Sequence, residues 1–219
     1  MENTSEQIKQ ELLQNKIIVI VRGVPVASMR ELVHSYYDGG IRFMEVTFDQ
    51  KSTDNFRQTT ESIRLISTEM QGKMHIGAGT VMNTEQVHLA QQSGAEYIIS
   101  PNVCRQVIEE TKKSGLLSIP GAFTPSEIAD AYAYGADFVK LFPASALGAD
   151  YLKAIVAPLS HIPLLAVGGI RPEAMPAYLK AGACGFGVGG NLVNKEWIRN
   201  GEFGKITEEA RRYCAALEG

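Results

Sequence analysis

Thr124-Pro125-Ser126-Glu127 opens the stretch that decides the fold, and Gly135-Ala136-Asp137-Phe138-Val139-Lys140-Leu141-Phe142 closes it. A capping Thr, a Pro at the first helical position and a Glu at N3 make a capping box, so a helix starts here and runs to Tyr134. Gly135 then supplies the left-handed residue that ends a helix. The run from Phe138 to Phe142 is apolar except for one lysine. It is continuous rather than alternating, which marks a strand covered on both faces, as in a parallel sheet under helices. Working outward, the same glycine device recurs at Gly39-Gly40, Gly94-Ala95 and Gly182-Ala183, each between a helical pattern and an apolar run. Strand-like runs begin near Ile17, Phe43, His75, Tyr97, Leu117, Phe138, Leu164 and Gly185. Their spacing of about 24 residues fits one strand and one crossover helix. Eight such units and an additional N-terminal helix near Ser5 to Asn15 take up residues 1–219 as one domain. The expected fold is therefore α/β, a closed (β/α)8 TIM barrel with an extra N-terminal helix. A doubly wound open sheet fits the strand count less well.

Composition excludes several classes. Of 219 residues, 45% are hydrophobic and 21% charged, so neither a disordered nor a fibrous chain is expected. With 21 Lys and Arg against 24 Asp and Glu the net charge is −3, and no stretch is dense in cations. Nucleic acid is not an expected partner. The longest apolar runs fall short of the ~18 residues a membrane span requires. The opening residues Met1 to Glu6 lack the basic and apolar regions of a secretory signal, which makes the cytoplasm the expected location. Cys104, Cys184 and Cys214 are far apart and form no C-x-x-C, as suits packing residues in a reducing compartment.

In a barrel of this kind the chemistry lies at the C-terminal ends of the strands. Three polar residues interrupt or end the apolar runs there: Arg22, Glu45 and Lys140. An unpaired ammonium within Phe138 to Phe142 is costly, so Lys140 is expected to be neutral or paired. A desolvated lysine of lowered pKa is the nucleophile that forms a Schiff base with a ketone. Glu45, in Phe43-Met44-Glu45-Val46-Thr47, is placed to move protons for such a reaction. The bland alternatives are a snorkelling lysine, or a structural ion pair between Lys140 and Glu45. Arg22 ends its strand before Gly23 and suits an anionic substrate group. Gly168-Gly169 and Gly189-Gly190 follow the seventh and eighth strands, where backbone N–H groups can hold a phosphate; tight turns are the alternative. Gly185, Gly187 and Gly190 satisfy G-x-G-x-x-G, but in the last strand, so a dinucleotide is not expected. The histidines His34, His75, His88 and His161 lack metal-ligand spacing, and no metal or cofactor is expected. The tyrosines and methionines read as ordinary core and surface.

Taken in order, V-I-V-R (Val19 to Arg22), M-E-V-T (Met44 to Thr47), G-A-G-T-V (Gly77 to Val81), S-P-N (Ser100 to Asn102), I-P-G (Ile119 to Gly121), V-K-L-F-P (Val139 to Pro143) and V-G-G (Val167 to Gly169) resemble the 2-keto-3-deoxy-6-phosphogluconate (KDPG) and 4-hydroxy-2-oxoglutarate (KHG) aldolase family. The resemblance implies a metal-free homotrimer acting in Entner-Doudoroff-type sugar-acid breakdown. It implies that Lys140 forms the Schiff base with pyruvate or the phosphorylated keto acid, and that Glu45 is the acid/base. It further implies that Arg22 and Thr80 meet the substrate, that Pro101 and Phe142 line the pocket, and that Gly168, Gly169, Gly189 and Gly190 hold the phosphate. Three places depart from the family pattern. Phe48-Asp49 stands where many members carry an Arg, Ala166-Val167-Gly168-Gly169 replaces P-T-G-G, and Gly189-Gly190-Asn191 replaces a serine-bearing loop. Asn191 is then the expected stand-in for the missing phosphate donor, and the choice between gluconate and galactonate epimers at C4 stays open. Cleavage of an unphosphorylated acid such as 4-hydroxy-2-oxoglutarate, and a phosphosugar-binding or isomerase barrel without imine chemistry, are the competing readings.

Overall fold

The computed structural model describes residues 4–54 and 56–218; residues 1–3, part of the stretch read for a signal, lie outside it. Helix α1 (Thr4–Asn15) leads into β1 (Ile17–Val21), and the chain then alternates between strand and helix. The strands are β2 (Phe43–Thr47), β3 (His75–Gly79), β4 (Tyr97–Ile99), β5 (Leu117–Ile119), β6 (Gly121–Ala122), β7 (Val139–Leu141), β8 (Leu164–Val167) and β9 (Gly185–Val188). The helices are α2 (Met29–Asp38), α3 (Arg57–Glu69), α4 (Thr84–Gln92), α5 (Arg105–Lys113), α6 (Pro125–Ala133), α7 (Gly148–Val156), α8 (Met175–Lys180), α9 (Lys195–Arg199) and α10 (Phe203–Ala215). All strand pairs are parallel. The order is β5-β4-β3-β2-β1-β9-β8-β7-β6.

Eight strands were expected and nine segments form, because one barrel position is split at Pro120. Leu117–Ile119 pairs with β4, and Gly121–Ala122 pairs with β7. Proline has no N–H to give the ladder, so the pairing breaks there. Its carbonyl still accepts from Lys140 N at 2.9 Å, and Ser118 O accepts from Asp137 N at 2.9 Å. These bonds join β5 and β6 to the β7 side and bring the ring nearly to closure. The glycines expected to end helices do so: Gly40, Gly94, Gly135 and Gly182 all have positive φ, from 92° to 105°.

Alternation along each strand divides the apolar residues into two cores. Ile17, Val19, Met44, Val46, Val139, Leu164 and Phe186 face the helices. Ile18, Phe43, Tyr97, Ile99, Phe138, Leu165 and Val167 face inward. Ile8 and Leu12 of α1 join this inner cluster and close the floor of the barrel. A charged residue on the inward face therefore sits in a dry, packed interior that opens only at the mouth.

Candidate active site

Glu45 is the middle residue of β2, and its neighbours Met44 and Val46 belong to the outer core, so it points inward. It is 1% exposed, and Lys140, inward-facing on β7 by the same alternation, is 8% exposed. Their charges interact, but no Lys140–Glu45 ion pair forms within 4.0 Å among the described residues. Nζ of Lys140 lies 4.7 Å from the centroid of the Phe142 ring. Burial lowers the Lys140 pKa; the Glu45 charge opposes that shift and the Arg22 charge adds to it. Burial pushes Glu45 up to about 7, against the pull of Lys140 and Arg22. The pair thus holds an amine easier to deprotonate than an ordinary lysine and a carboxyl that changes protonation state near neutrality. Room for that carboxyl comes from Gly79 on β3, where a Cβ would overlap Oε1 of Glu45.

The mouth is built from residues just past the strand ends. Arg22 follows β1 and donates from Nη2 to Thr80 Oγ1 at 3.0 Å. Thr80 follows β3 with φ +56°, a left-handed conformation that costs a non-glycine residue about 1–2 kcal/mol. Its carbonyl accepts from Gln50 Nε2 at 2.7 Å, and Gln50 is held in turn by Gln86 Nε2 at 3.0 Å. The sequence reading missed Gln50, because only the converging loops reveal its role. Pro101 follows β4, and its carbonyl lies so close to Gly121 that no Cβ fits there, which couples the S-P-N and I-P-G motifs. Phe142, 39% exposed, roofs Lys140, and its ring would lie 3.1 Å from a Cβ at Gly168. The departing residues Phe48-Asp49 lie just past β2. Phe48 is fully buried with its ring edge-on to Phe56 at 5.2 Å, and exposed Asp49 accepts from Lys51 N at 3.0 Å.

Gly168 and Gly169 follow β8 with φ of +96° and +74°, and Gly189 and Gly190 follow β9. The backbone N–H groups of Gly169, Gly190 and Asn191 meet no acceptor among the described residues. The expectation for the Asn191 side chain needs correction. Its Nδ2 donates to Tyr213 Oη on α10 at 2.9 Å and to Ile170 O in the loop after β8 at 3.4 Å, so both amide hydrogens are committed. Only the main chain of Asn191 is left to donate. Arg171 lines a depression with Gly190, Asn191 and Asn194, and its place two residues past Gly169 is a signal the sequence reading overlooked. Tyr97 lies in the core as expected. Its hydroxyl is nevertheless buried without a hydrogen-bond partner among the described residues. Among the described residues, no group of three His, Cys, Asp or Glu side chains is placed to hold a metal ion. No helix among them is long and apolar enough to cross a membrane.

The family model for KDPG and KHG aldolase matches residues 8–209. The chain belongs to this family. It is 35% identical over 177 residues to the 2-dehydro-3-deoxy-6-phosphogalactonate aldolase of Escherichia coli K12, covering 80% of this chain and 83% of that one. A native KDPGal structure superposes with a TM-score of 0.83 at 32% identity, over 92% of this chain and 94% of that one. The KDPG aldolase of Legionella pneumophila, solved with pyruvate as a covalent carbinolamine, gives 0.82 at 27% identity over 93% and 96%. As a KDPG and KHG aldolase family member the chain is a lyase of the Schiff-base class, and a phosphorylated keto acid and pyruvate suit its site.

Proposed function

We propose that Lys140 is the Schiff-base lysine and Glu45 the acid/base of an aldolase that cleaves a 2-keto-3-deoxy-6-phospho sugar acid to pyruvate and glyceraldehyde 3-phosphate. The observation that carries this reading is the pairing of one lysine and one carboxylate, both buried on the inward face and not bonded to each other. The neutral amine adds to the C2 ketone to give a carbinolamine. Glu45 donates the proton with which the C2 hydroxyl leaves as water, forming the protonated imine. The Glu45 carboxylate then takes the proton of the C4 hydroxyl, the C3–C4 bond breaks, and its electron pair moves through C2 to the iminium nitrogen. The aldehyde departs. The protonated Glu45 returns its proton to C3 of the enamine, and water releases pyruvate and Lys140. A group of pKa near 7 can do both halves of this work at neutral pH.

Arg22 and Thr80 take the substrate carboxylate, in the absence of the cation that Asp49 replaces. Pro101 and Phe142 bound the pocket. The free N–H groups of Gly169, Gly190 and Asn191, with Gly168, Gly189 and the cation of Arg171, receive the phosphate. The C4 epimer is selected at the mouth, and likeness to the E. coli galactonate enzyme supports that branch. We extend the reading to a cytoplasmic homotrimer, to which exposed Met82, Phe123 and Leu147 can contribute apolar contact. Pyruvate release from both phosphorylated epimers and from 4-hydroxy-2-oxoglutarate tests the assignment. We expect the phosphorylated acids to have the higher kcat/KM; preference for the unphosphorylated acid would make the glycine pairs plain turns.

A further inference from the structure

Strand register places Glu45 opposite Gly77, and Gly77 opposite Tyr97. These three residues form one row across β2, β3 and β4 on the inward face. Gly77 is required there, because a Cβ would overlap the Tyr97 ring that lies across it toward Glu45. Phe43, one inward layer below Glu45, supports that ring with centroids 6.0 Å apart. The Glu45 carboxyl lies against Gly79, with Oε1 closer than Oε2 to where a Cβ would stand, and Oε2 is enclosed. Among the described residues, two buried side-chain oxygen atoms have no hydrogen-bond partner: Glu45 Oε2 and Tyr97 Oη. Other tyrosines that point into the protein satisfy their hydroxyls on carbonyls, as Tyr36 does on Leu192 at 3.0 Å and Tyr178 on Ala144 at 3.0 Å. The two unsatisfied oxygens belong to residues of one inward row with a glycine between them, and one bridging water would satisfy both.

We propose that Tyr97 is a positioning residue for the acid/base, its phenolic hydroxyl donating through one bridging water to Oε2 of Glu45. This arrangement fixes the carboxyl plane and leaves Oε1 to exchange protons with substrate at the mouth. Burial and the Glu45 charge hold the Tyr97 phenol far above its ordinary pKa, so it stays a donor throughout the working range. Donation to the ionised carboxylate favours that form, and its removal leaves the carboxyl harder to ionise. The inference rests on the assignment of Glu45 as the acid/base.

Tyr97→Phe keeps the ring and removes only the hydroxyl. We expect kcat to fall about tenfold with KM within about twofold, and the ionisation belonging to Glu45 to move upward by about half a pH unit or more. In Glu45→Gln the same change should cost nothing further, because the group it serves is gone. A wild-type crystal structure that resolves ordered water should place one within about 2.6–3.2 Å of both oxygens. Unchanged kcat and pH profile in Tyr97→Phe, a loss that adds in full to that of Glu45→Gln, or the lack of such a water would overturn the inference. A Glu45→Gln enzyme with wild-type kcat and ionisation would overturn the acid/base assignment itself, and with it this inference.

Discussion

In the proposed roles, Glu45 and Lys140 would owe their reactivity to burial, which disfavours the charged form of each and moves their pKa values toward each other. The sign of the resulting pH dependence follows. With its pKa pushed up to about 7, Glu45 is protonated below that pH and ionised above it, so the proposed acid/base role predicts an ionisation near 7 in kcat/KM. Glu45→Gln should abolish that ionisation and lower kcat by roughly 10²–10⁴-fold, read from a rate profile between pH 5 and 9. Both residues were legible in the sequence because a charge in the middle of a buried apolar strand demands a reason. Tyr97 was not, since an aromatic residue in a strand looks like packing until its hydroxyl is found without a partner. At Asn191 the sequence could not separate side chain from main chain: Tyr213 and Ile170 hold the amide, and only the backbone N–H is left for the proposed phosphate contact.

Among the elements, α1 bears the clearest structural load. Leu12 is buried in the inner core beneath the strands, and cutting it to Ala should cost about 2–5 kcal/mol by denaturant titration, with the mouth of the barrel intact. His75 ties the same helix to the sheet, with Nε2 2.8 Å from Glu11 Oε2 and Nδ1 2.9 Å from Glu96 Oε2. Burial lowers its pKa, but the two carboxylates prevail and the net shift is upward. A raised folded-state pKa means that this contribution is complete below about pH 6.5 and is lost as pH rises through the folded value. His75→Gln should therefore flatten the dependence of Tm on pH between about 6 and 8; an unchanged slope would show that the clamp contributes nothing. The helix beginning at Thr124 was readable because its capping box is local, and both bonds form, Thr124 N to Glu127 Oε2 at 2.8 Å and Glu127 N to Thr124 Oγ1 at 3.3 Å. The break at Pro120 was not readable as a division of one barrel position, because it depends on which partner each half of the segment finds.

For the whole molecule, the sequence announced a barrel through continuous apolar runs and glycines that end helices, both of which are set within one βα unit. Seven of the eight expected strand starts coincide with the observed ones, and the eighth begins at Val139 rather than Phe138. What the sequence withheld is contact between units: Arg22 on Thr80, Gln50 beneath Thr80, Pro101 against Gly121, and Tyr97 beside Glu45 across Gly77. Such contacts are created by closure of the sheet, which brings residues many positions apart to one mouth. Closure also gives the central claim its meaning, because only inside the barrel do a lysine from β7 and a carboxylate from β2 share one dry compartment. The most direct measurement is intact mass after incubation with pyruvate and sodium borohydride, followed by peptide mapping, since reduction freezes the imine as a stable amine. The account predicts a pyruvyl adduct on Lys140 that is lost in Lys140→Ala. Folded protein that acquires no adduct, or acquires it at another lysine, would contradict it.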